Sequence, residues 1–208
     1  ERLLGEFSAS EGGILLGTQM IAKGLDFPDV TLVGVINADT TLKLPDFRAP
    51  ERTFQLLEQV SGRAGRADKP GRVIVQTYWP EHPAILAAAA HDRELFLEQE
   101  LPSREELGYP PYVRLANVLA WGRNEQAVRQ VITELTLAIN SSMISAGQEW
   151  EVLGPSPCLL SRLRGLYRWH TLIKAPMGAD ISAVIEPVLK ARKANDEVRI
   201  AVDIDPDN

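Results

Sequence analysis

The chain has 208 residues, of which 45% are hydrophobic and 24% are charged, and its formal net charge at pH 7 is −6. No apolar run approaches the roughly 18–20 residues that span a bilayer, so the composition favours a soluble globular protein. Residues 1–110 have 11 basic and 17 acidic side chains, whereas residues 111–208 have 11 of each. A broad basic surface for nucleic acid is therefore excluded, and any such contact must be local.

The first part of the chain alternates between strand and helix patterns. Short continuous apolar runs at 13–17, 31–36 and 72–77 are typical of buried parallel strands. Between the last two runs, apolar residues of 50–61 recur at helical spacing. The charged, Ala- and Leu-rich residues 81–107 predict two further helices. Strands that alternate with helices indicate an α/β fold with a parallel sheet.

The second part begins after the turn-forming segment Tyr109-Pro110-Pro111-Tyr112. The pattern predicts, in chain order, a strand at 113–121, a helix at 124–146, strands at 150–153 and 167–175, a helix at 180–194 and a strand at 197–204. This β-α-β-β-α-β order is the ferredoxin-like, or split β-α-β, pattern of a small α+β domain. We therefore expect three regions: an α/β region at 1–80, a helical connector at 81–110 and the α+β domain at 111–208.

A first block that could carry chemistry follows the strand predicted at 13–17. Thr18 can offer a hydroxyl group and a backbone N–H to a phosphate oxygen, and Gly24 allows a close backbone approach. Lys23 and Asp26 lie in the same segment, and Asp26 can accept from a ribose hydroxyl. Open α/β sheets place their ligands at this end of their strands. Taken alone, the block fits an ordinary loop that caps a helix better than a ligand site.

A second block, Gln59-Val60-Ser61-Gly62-Arg63-Ala64-Gly65-Arg66, closes the helix predicted at 50–61. Each glycine weakens a helix by about 1 kcal/mol relative to Ala, so this is a poor structural helix end. The glycines make sense if Arg63 and Arg66 must reach into a narrow interface, because a guanidinium group matches phosphate oxygens. Supplying such a group to a γ-phosphate is the arginine-finger arrangement. The alternative is an Arg-rich helix end favoured by the helix dipole.

Taken together, the two blocks resemble motifs V and VI of superfamily 2 helicases. The likeness is strongest to the bacterial primosomal replication-restart helicases, the PriA family. It rests on GTQMIAKGLDFPDVTLVGVINAD at 17–39, DFRAPERTFQLLEQVSGRAGRADKPGRVIVQT at 46–77, PEHPAI at 80–85, LGYPPY at 107–112, VLGPSP at 152–157 and VDIDP at 202–206. The resemblance extends from end to end of the chain.

The resemblance implies that the first region is part of RecA-like helicase lobe 2. Arg66 and Arg63 would contact the γ-phosphate of ATP, and Gln59 would orient the arginine segment. Lys23, Gly24 and Asp26 would line the nucleotide cleft, and Thr18 would touch the DNA backbone. The resemblance also implies that ATP and Mg²⁺ are held mainly by another lobe. No G-x-x-x-x-G-K-[ST] phosphate loop occurs here, so we expect no ATPase activity from this chain alone.

A basic segment of the second region is a candidate DNA contact. Arg162, Arg164 and Arg168 lie near Tyr167 and Trp169, without an acidic residue between them. Arginine pairs with phosphates, and aromatic rings stack on unpaired bases. Strand alternation places Trp169 on the core-facing side, so we expect the arginines to make the contact. The C-terminal domain of the family contacts DNA forks, which favours this interpretation over a merely solvated hairpin.

Metal and thiol chemistry have little support in the sequence. Cys158 is the only cysteine, which excludes an internal disulfide and a cysteine-based zinc site, and its apolar neighbours indicate a structural thiol in a reducing cytoplasm. No metal site is predicted at the histidines, which are His82, His91 and His170. Asp203, Asp205 and Asp207 alternate near the end of the chain, and we interpret them as a solvated acidic terminus. The zinc of the family would be bound outside this chain.

The predicted function is therefore the C-terminal part of an ATP-dependent 3′-to-5′ DNA helicase that binds forks and restarts replication. The resemblance implies DNA, single-stranded-DNA-binding protein and other primosome proteins as partners, no membrane, and a monomer in the bacterial cytoplasm associated with the nucleoid. Two alternatives stay open. One is another superfamily 2 translocase acting on DNA or RNA, and the other is a catalytically dead interaction module.

Overall fold

The computed structural model describes residues 2–10, 12–18, 30–62, 71–192 and 197–206. The chain divides into two compact units, Glu1–Leu101 and Pro102–Asn208. The described helices are α1 (Arg2–Ser8), α2 (Asp39–Leu42), α3 (Ala49–Ser61), α4 (Pro83–Ala90), α5 (Arg93–Glu106), α6 (Glu125–Ser145) and α7 (Ile181–Ala191). The described strands are β1 (Leu32–Val35), β2 (Arg72–Val75), β3 (Val113–Gly122), β4 (Glu151–Leu163), β5 (Leu166–Pro176) and β6 (Val198–Ile204).

The first unit contains a parallel pair of strands, β1 and β2, with Leu32 opposite Arg72 and Val35 opposite Val75. Helix α3 lies between them in the chain, as parallel strands require a crossover. The face of α3 that carries Phe54 and Leu57 is buried in a core shared with α4 and α5. The α/β prediction for this part, with a helix at 50–61 and strands at 31–36 and 72–77, is confirmed.

The strand predicted at 13–17 is wrong. Residues 13–17 have no helical or strand conformation, and Ile14 and Leu16 are 95% and 80% exposed. A strand needs a neighbour that satisfies its backbone hydrogen bonds, and the two-stranded sheet of the described residues consists of β1 and β2 only. The apolar run therefore has nothing to pair with in the described part of this unit.

The second unit is a four-stranded antiparallel sheet with the spatial order β4-β5-β3-β6. With α6 after β3 and α7 after β5, the predicted β-α-β-β-α-β order is confirmed. Both helices contribute to one core, in which Val128, Ile132 and Ile139 of α6 are completely buried. The apolar residues of each helix recur at helical spacing, so each helix has one apolar face. Both apolar faces pack into the same core, on one side of the sheet.

Strand β4 is much longer than the strand predicted at 150–153. It continues to Leu163 through two register shifts, between Leu153 and Ser156 and between Pro157 and Arg162. Gly154 makes the first shift possible: its φ is +108°, and a Cβ there would lie 3.0 Å from the carbonyl oxygen of His170. Gly154-Pro155 is therefore an irregularity within the strand, where a strand end was predicted.

Candidate nucleotide and nucleic-acid sites

The residues predicted to handle nucleotide lie mostly outside the described residues. This holds for Lys23, Gly24 and Asp26 of the first block and for Arg63 and Arg66 of the second. Thr18 is described and its side chain is exposed, next to the irregular residues 13–17. The roles of all these residues stay predictions.

Gln59 lies on the last turn of α3 with its side chain exposed. The opposite face of that turn is fixed, since Leu57 and Val60 are 2% and 8% exposed. The neighbouring Glu58 contacts His91 of the loop after α4, with 3.0 Å between Oε1 and Nδ1. The helix ends at Gly62, whose N–H donates to the Glu58 carbonyl oxygen. A rigid helix therefore presents the Gln59 amide immediately before the arginine segment.

The carboxyl ends of β1 and β2 are tied together by a residue that the sequence did not single out. Asp39 is 3% exposed, and its carboxylate accepts from the Tyr78 backbone N–H at 2.9 Å and the Thr77 hydroxyl at 3.3 Å. These hydrogen bonds hold the segment after β2 against the segment after β1, which is a structural role. An acidic residue a few positions after the apolar run 31–36 is the signal that could have identified it.

The three candidate DNA-binding arginines do not form one cluster. Arg162 is exposed near the tip of the β4–β5 hairpin, and its guanidinium carbon lies 5.0 Å from the centre of the Tyr167 ring. Arg164 is exposed in the turn itself with φ +50°. Arg168 lies farther along β5 and is half-buried, opposite Trp121 of β3. The hairpin tip thus presents Arg162 and Arg164, whereas Arg168 belongs to the sheet.

The prediction that Trp169 faces the core is confirmed. Trp169 packs against the core of the second unit, and the guanidinium carbon of Arg129 from α6 lies 5.7 Å from its ring centre. Its neighbour Thr171 is completely buried and lies 2.6 Å from the Thr136 hydroxyl of α6. His170, between them, contacts Asn117 on the other face. Burial lowers the pKa of His170, and the Arg168 charge lowers it further.

Two remaining predictions concern Cys158 and Asp205, and the structure agrees with the first and corrects the second. Cys158 is half-buried, and burial raises the pKa of its thiol, which suits a structural, unreactive cysteine as predicted. Asp205 is not merely solvated as predicted, because its carboxylate binds the Arg114 guanidinium at 2.6 Å. The partners are 91 residues apart, so local sequence could not reveal the pair. The described residues contain no group of His, Cys, Asp and Glu side chains placed to hold a metal ion.

Two family models match this chain. Residues 1–68 match the helicase conserved C-terminal domain, and residues 105–207 match the primosomal protein N C-terminal domain. Together these matches define the class, a helicase C-terminal lobe joined to a second, specialised domain. No helix among the described residues combines the length and apolarity needed to cross a bilayer.

Relatives identify the family within this class. The chain is 46% identical to the replication restart protein PriA of Bacillus subtilis over 99% of its length, and 41% identical to that of Synechocystis over 98%. Over the whole of this chain, it is 39% identical to the Treponema pallidum protein of the same name. The chain belongs to the PriA family of replication restart proteins. It spans 24–31% of the length of these three relatives.

Proposed function

We propose that this chain forms part of an ATP-dependent 3′-to-5′ DNA helicase that binds forked DNA and restarts replication. Its match to a helicase C-terminal domain and its relatives' name, replication restart protein, support this proposal. Such a protein would act on bacterial DNA in the cytoplasm, at the nucleoid, together with single-stranded-DNA-binding protein and other primosome proteins.

The observation that carries the motor proposal is the position of Gln59. Its exposed amide makes no side-chain hydrogen bond with another described residue, and it stands on a helix that is anchored on its other face. That helix leads directly into Gly62-Arg63-Ala64-Gly65-Arg66. An amide and two guanidinium groups in one short segment suit the recognition of a terminal phosphate that another lobe holds.

In this proposal each residue of the segment has one task. Arg66 stabilises the charge that develops on the transferred phosphate, Arg63 assists it, and Gln59 orients the segment. Lys23, Gly24 and Asp26 line the same cleft, and Thr18 connects it to the DNA backbone. ATP with Mg²⁺ supplies the free energy of hydrolysis when it is bound, mainly by the other lobe. Zinc would be bound by the complete protein outside this chain.

The test of the motor proposal uses the complete protein. Arg66→Ala should lower DNA-stimulated ATPase activity by about 10³- to 10⁵-fold and leave DNA affinity unchanged. Arg66→Lys should lose most of the activity too, because an ammonium group cannot replace the guanidinium fork. Arg72→Ala is the matched control, since Arg72 is an exposed arginine at the start of β2.

Three outcomes would contradict the motor proposal. Normal turnover by the Arg66→Ala protein would rule out the finger. Stimulation by RNA in preference to DNA would favour a different superfamily 2 translocase. A complete wild-type protein without ATPase activity would favour a dead interaction module. The chain alone should hydrolyse no ATP, which a phosphate-release assay checks directly.

Fork binding is proposed for the arginines of the β4–β5 hairpin. The guanidinium groups of Arg164 and Arg168 form no ion pair or hydrogen bond with another described residue, so their charges are available to phosphates. Replacing Arg162, Arg164 and Arg168 by Ala should weaken fork binding. The slope of log affinity against log salt concentration should become shallower by roughly 0.7–0.9 for each lost phosphate contact. An unchanged salt dependence would leave the hairpin without a role in DNA binding.

A further inference from the structure

The sheet of the second unit has one face that the helices do not cover. On β3, Ala116, Val118 and Ala120 are completely buried and belong to the core beneath the helices. Successive strand residues point to opposite faces, so Asn117, Leu119 and Trp121 lie on the other face, and all three are partly exposed. Within the described part of this unit, 102–192 and 197–206, both α6 and α7 contribute to the core of the first face.

The two ends of this second face differ. At one end, Lys174 is 9% exposed, donates to the Leu107 carbonyl oxygen at 2.9 Å and lies 4.3 Å from the Tyr109 ring centre. The chain before β3 therefore covers this end. Trp121 lies at the other end of this face. Arg123, the residue after the end of β3, is exposed. The accessible part of the face is the end with the tryptophan.

Trp121 lies in a row between two arginines. It is directly opposite Arg168 of β5 and directly opposite Arg199 of β6. Residues in such positions have Cβ atoms about 4.5–5.5 Å apart. The outward direction of both arginines follows from their neighbours, because Trp169 and Ile200 pack against the core on the opposite face. Trp121 thus has an arginine directly opposite it on each neighbouring strand.

The guanidinium groups of Arg168 and Arg199 form no ion pair or hydrogen bond with another residue that the structure describes. The next row across the sheet is His170, Leu119 and Ala201, and its histidine has a lowered pKa. On β6 this face carries Asp203, opposite Asn117 and four residues from Arg199, or about 13 Å along the strand. Glu197, directly before β6, is a nearer acidic residue, two positions from Arg199. The row itself, Arg168, Trp121 and Arg199, carries two positive charges.

We propose that this face binds unpaired bases of single-stranded DNA, with Trp121 as the stacking ring and Arg168 and Arg199 on the flanking phosphates. An aromatic ring on an open four-stranded sheet suits a splayed base, whereas bases inside a duplex are hidden in the stack. The arginines opposite Trp121 on the two neighbouring strands can offer guanidinium groups to the phosphates on either side of that base. Trp121 and Arg199 are separate from the hairpin tip, so the proposal rests on the proposed DNA function but adds a second site to it.

The experiment measures binding of a labelled thymidine oligonucleotide, about 12 nucleotides long, to the 208-residue chain by fluorescence anisotropy. Trp121→Ala should weaken binding by roughly 5- to 150-fold, the equivalent of one lost base stack. Trp121→Phe should keep most of the affinity, because phenylalanine also stacks. Arg199→Ala should weaken binding and reduce its salt dependence. Arg129→Ala is the matched control, an exposed arginine on the helical face.

A second probe separates base stacking from charge. An oligonucleotide of the same length without bases should bind the wild-type chain as weakly as the normal oligonucleotide binds the Trp121→Ala chain. Equal binding of the two probes by the wild-type chain would overturn the proposal, as would normal affinity in Trp121→Ala. Equal affinity for an acidic peptide would also overturn it, since the face would then be a general anion surface. Far-UV circular dichroism checks that each variant is folded.

The two DNA proposals fail separately. Arg162→Ala with Arg164→Ala should weaken binding of a forked duplex without changing binding of the thymidine oligonucleotide. Trp121→Ala should weaken binding of the thymidine oligonucleotide. It should leave binding of a fork without a single-stranded arm unchanged. Arg168 is left out of both variants because it belongs to both sites. Loss of oligonucleotide binding in the hairpin variant, with Trp121→Ala unaffected, would place the single strand at the hairpin instead.

Discussion

The pair formed by Asp205 and Arg114 should stabilise the second unit by joining its first and last strands. Asp205 Oδ2 accepts from Nε and from a terminal nitrogen of Arg114 at 2.9 and 2.6 Å, and Oδ1 accepts from the Leu115 N–H at 3.1 Å. The Asp205 N–H donates to the Leu115 carbonyl oxygen at 2.7 Å. Asp205 also has φ +51°, a conformation that Asp and Asn tolerate better than Ala.

The magnitude follows from these contacts. The side chains of Arg114 and Asp205 are 31% and 46% exposed, so solvent screening limits the ion pair to about 1 kcal/mol. Removing the acceptor from the part-buried Leu115 N–H costs about 1 kcal/mol, and placing Ala at positive φ costs about 1 kcal/mol more. Asp205→Ala should therefore lower the free energy of unfolding by about 2–3 kcal/mol. Asp205→Asn, which keeps the acceptor and the backbone preference, should lower it by about 1 kcal/mol.

Urea unfolding followed by tryptophan fluorescence can measure both changes. Three of the four tryptophans, Trp121, Trp150 and Trp169, lie in the second unit, so the signal reports mainly on that unit. A double-mutant cycle with Arg114→Ala should give a coupling of about 1 kcal/mol. If Asn were as destabilising as Ala, or if Ala cost less than about 0.5 kcal/mol, the Asp205 contacts would not stabilise the unit as described.

Two further predictions concern a helix cap and a buried hydroxyl pair. Nδ1 of His82 accepts from the Ala84 N–H at the start of α4, and burial lowers the pKa of His82 against the opposing effect of Glu100. Protonation removes this acceptor, so the stability that the cap contributes should be complete above pH about 6.5 and be lost as the pH falls through the lowered pKa. His82→Asn should cap the helix without titrating. If the free energy of unfolding of His82→Asn fell with acid pH as steeply as that of the wild type, this prediction would be wrong. Thr136 donates to the Ile132 carbonyl oxygen, so Thr171 donates to Thr136. Thr136→Val should cost about 1–3 kcal/mol in thermal or urea unfolding because it strands the Thr171 hydroxyl, and adding Thr171→Val should recover part of that loss; a double variant no better than Thr136→Val would speak against this donor assignment.

Local patterns were sufficient to predict the order of elements in the second unit. Its strands and helices differ in the period of their apolar residues, and this period is a property of neighbouring residues alone. The core-facing side of β5 was predictable for the same reason. The strand predicted at 13–17 failed because an apolar run does not say whether a neighbouring strand is present to pair with it.

Which face of β3 would be covered could not be read from the sequence. Both faces carry apolar residues, and the larger ones, Leu119 and Trp121, lie on the face away from the helices. The small side chains of Ala116 and Ala120 lie beneath the helices instead. Size and hydrophobicity favoured the opposite assignment, and the packing of the whole domain decided it.

The sequence by itself determined the ferredoxin-like order of elements and the blocks that resemble helicase motifs, because each is written in residues close together in the chain. Only the tertiary structure decided the continuation of β4 past Gly154, the pairing of Asp205 with Arg114 and the row of Arg168, Trp121 and Arg199. These features join residues that are far apart in sequence. Their positions follow from strand register, and register is set by how a whole sheet packs against its helices.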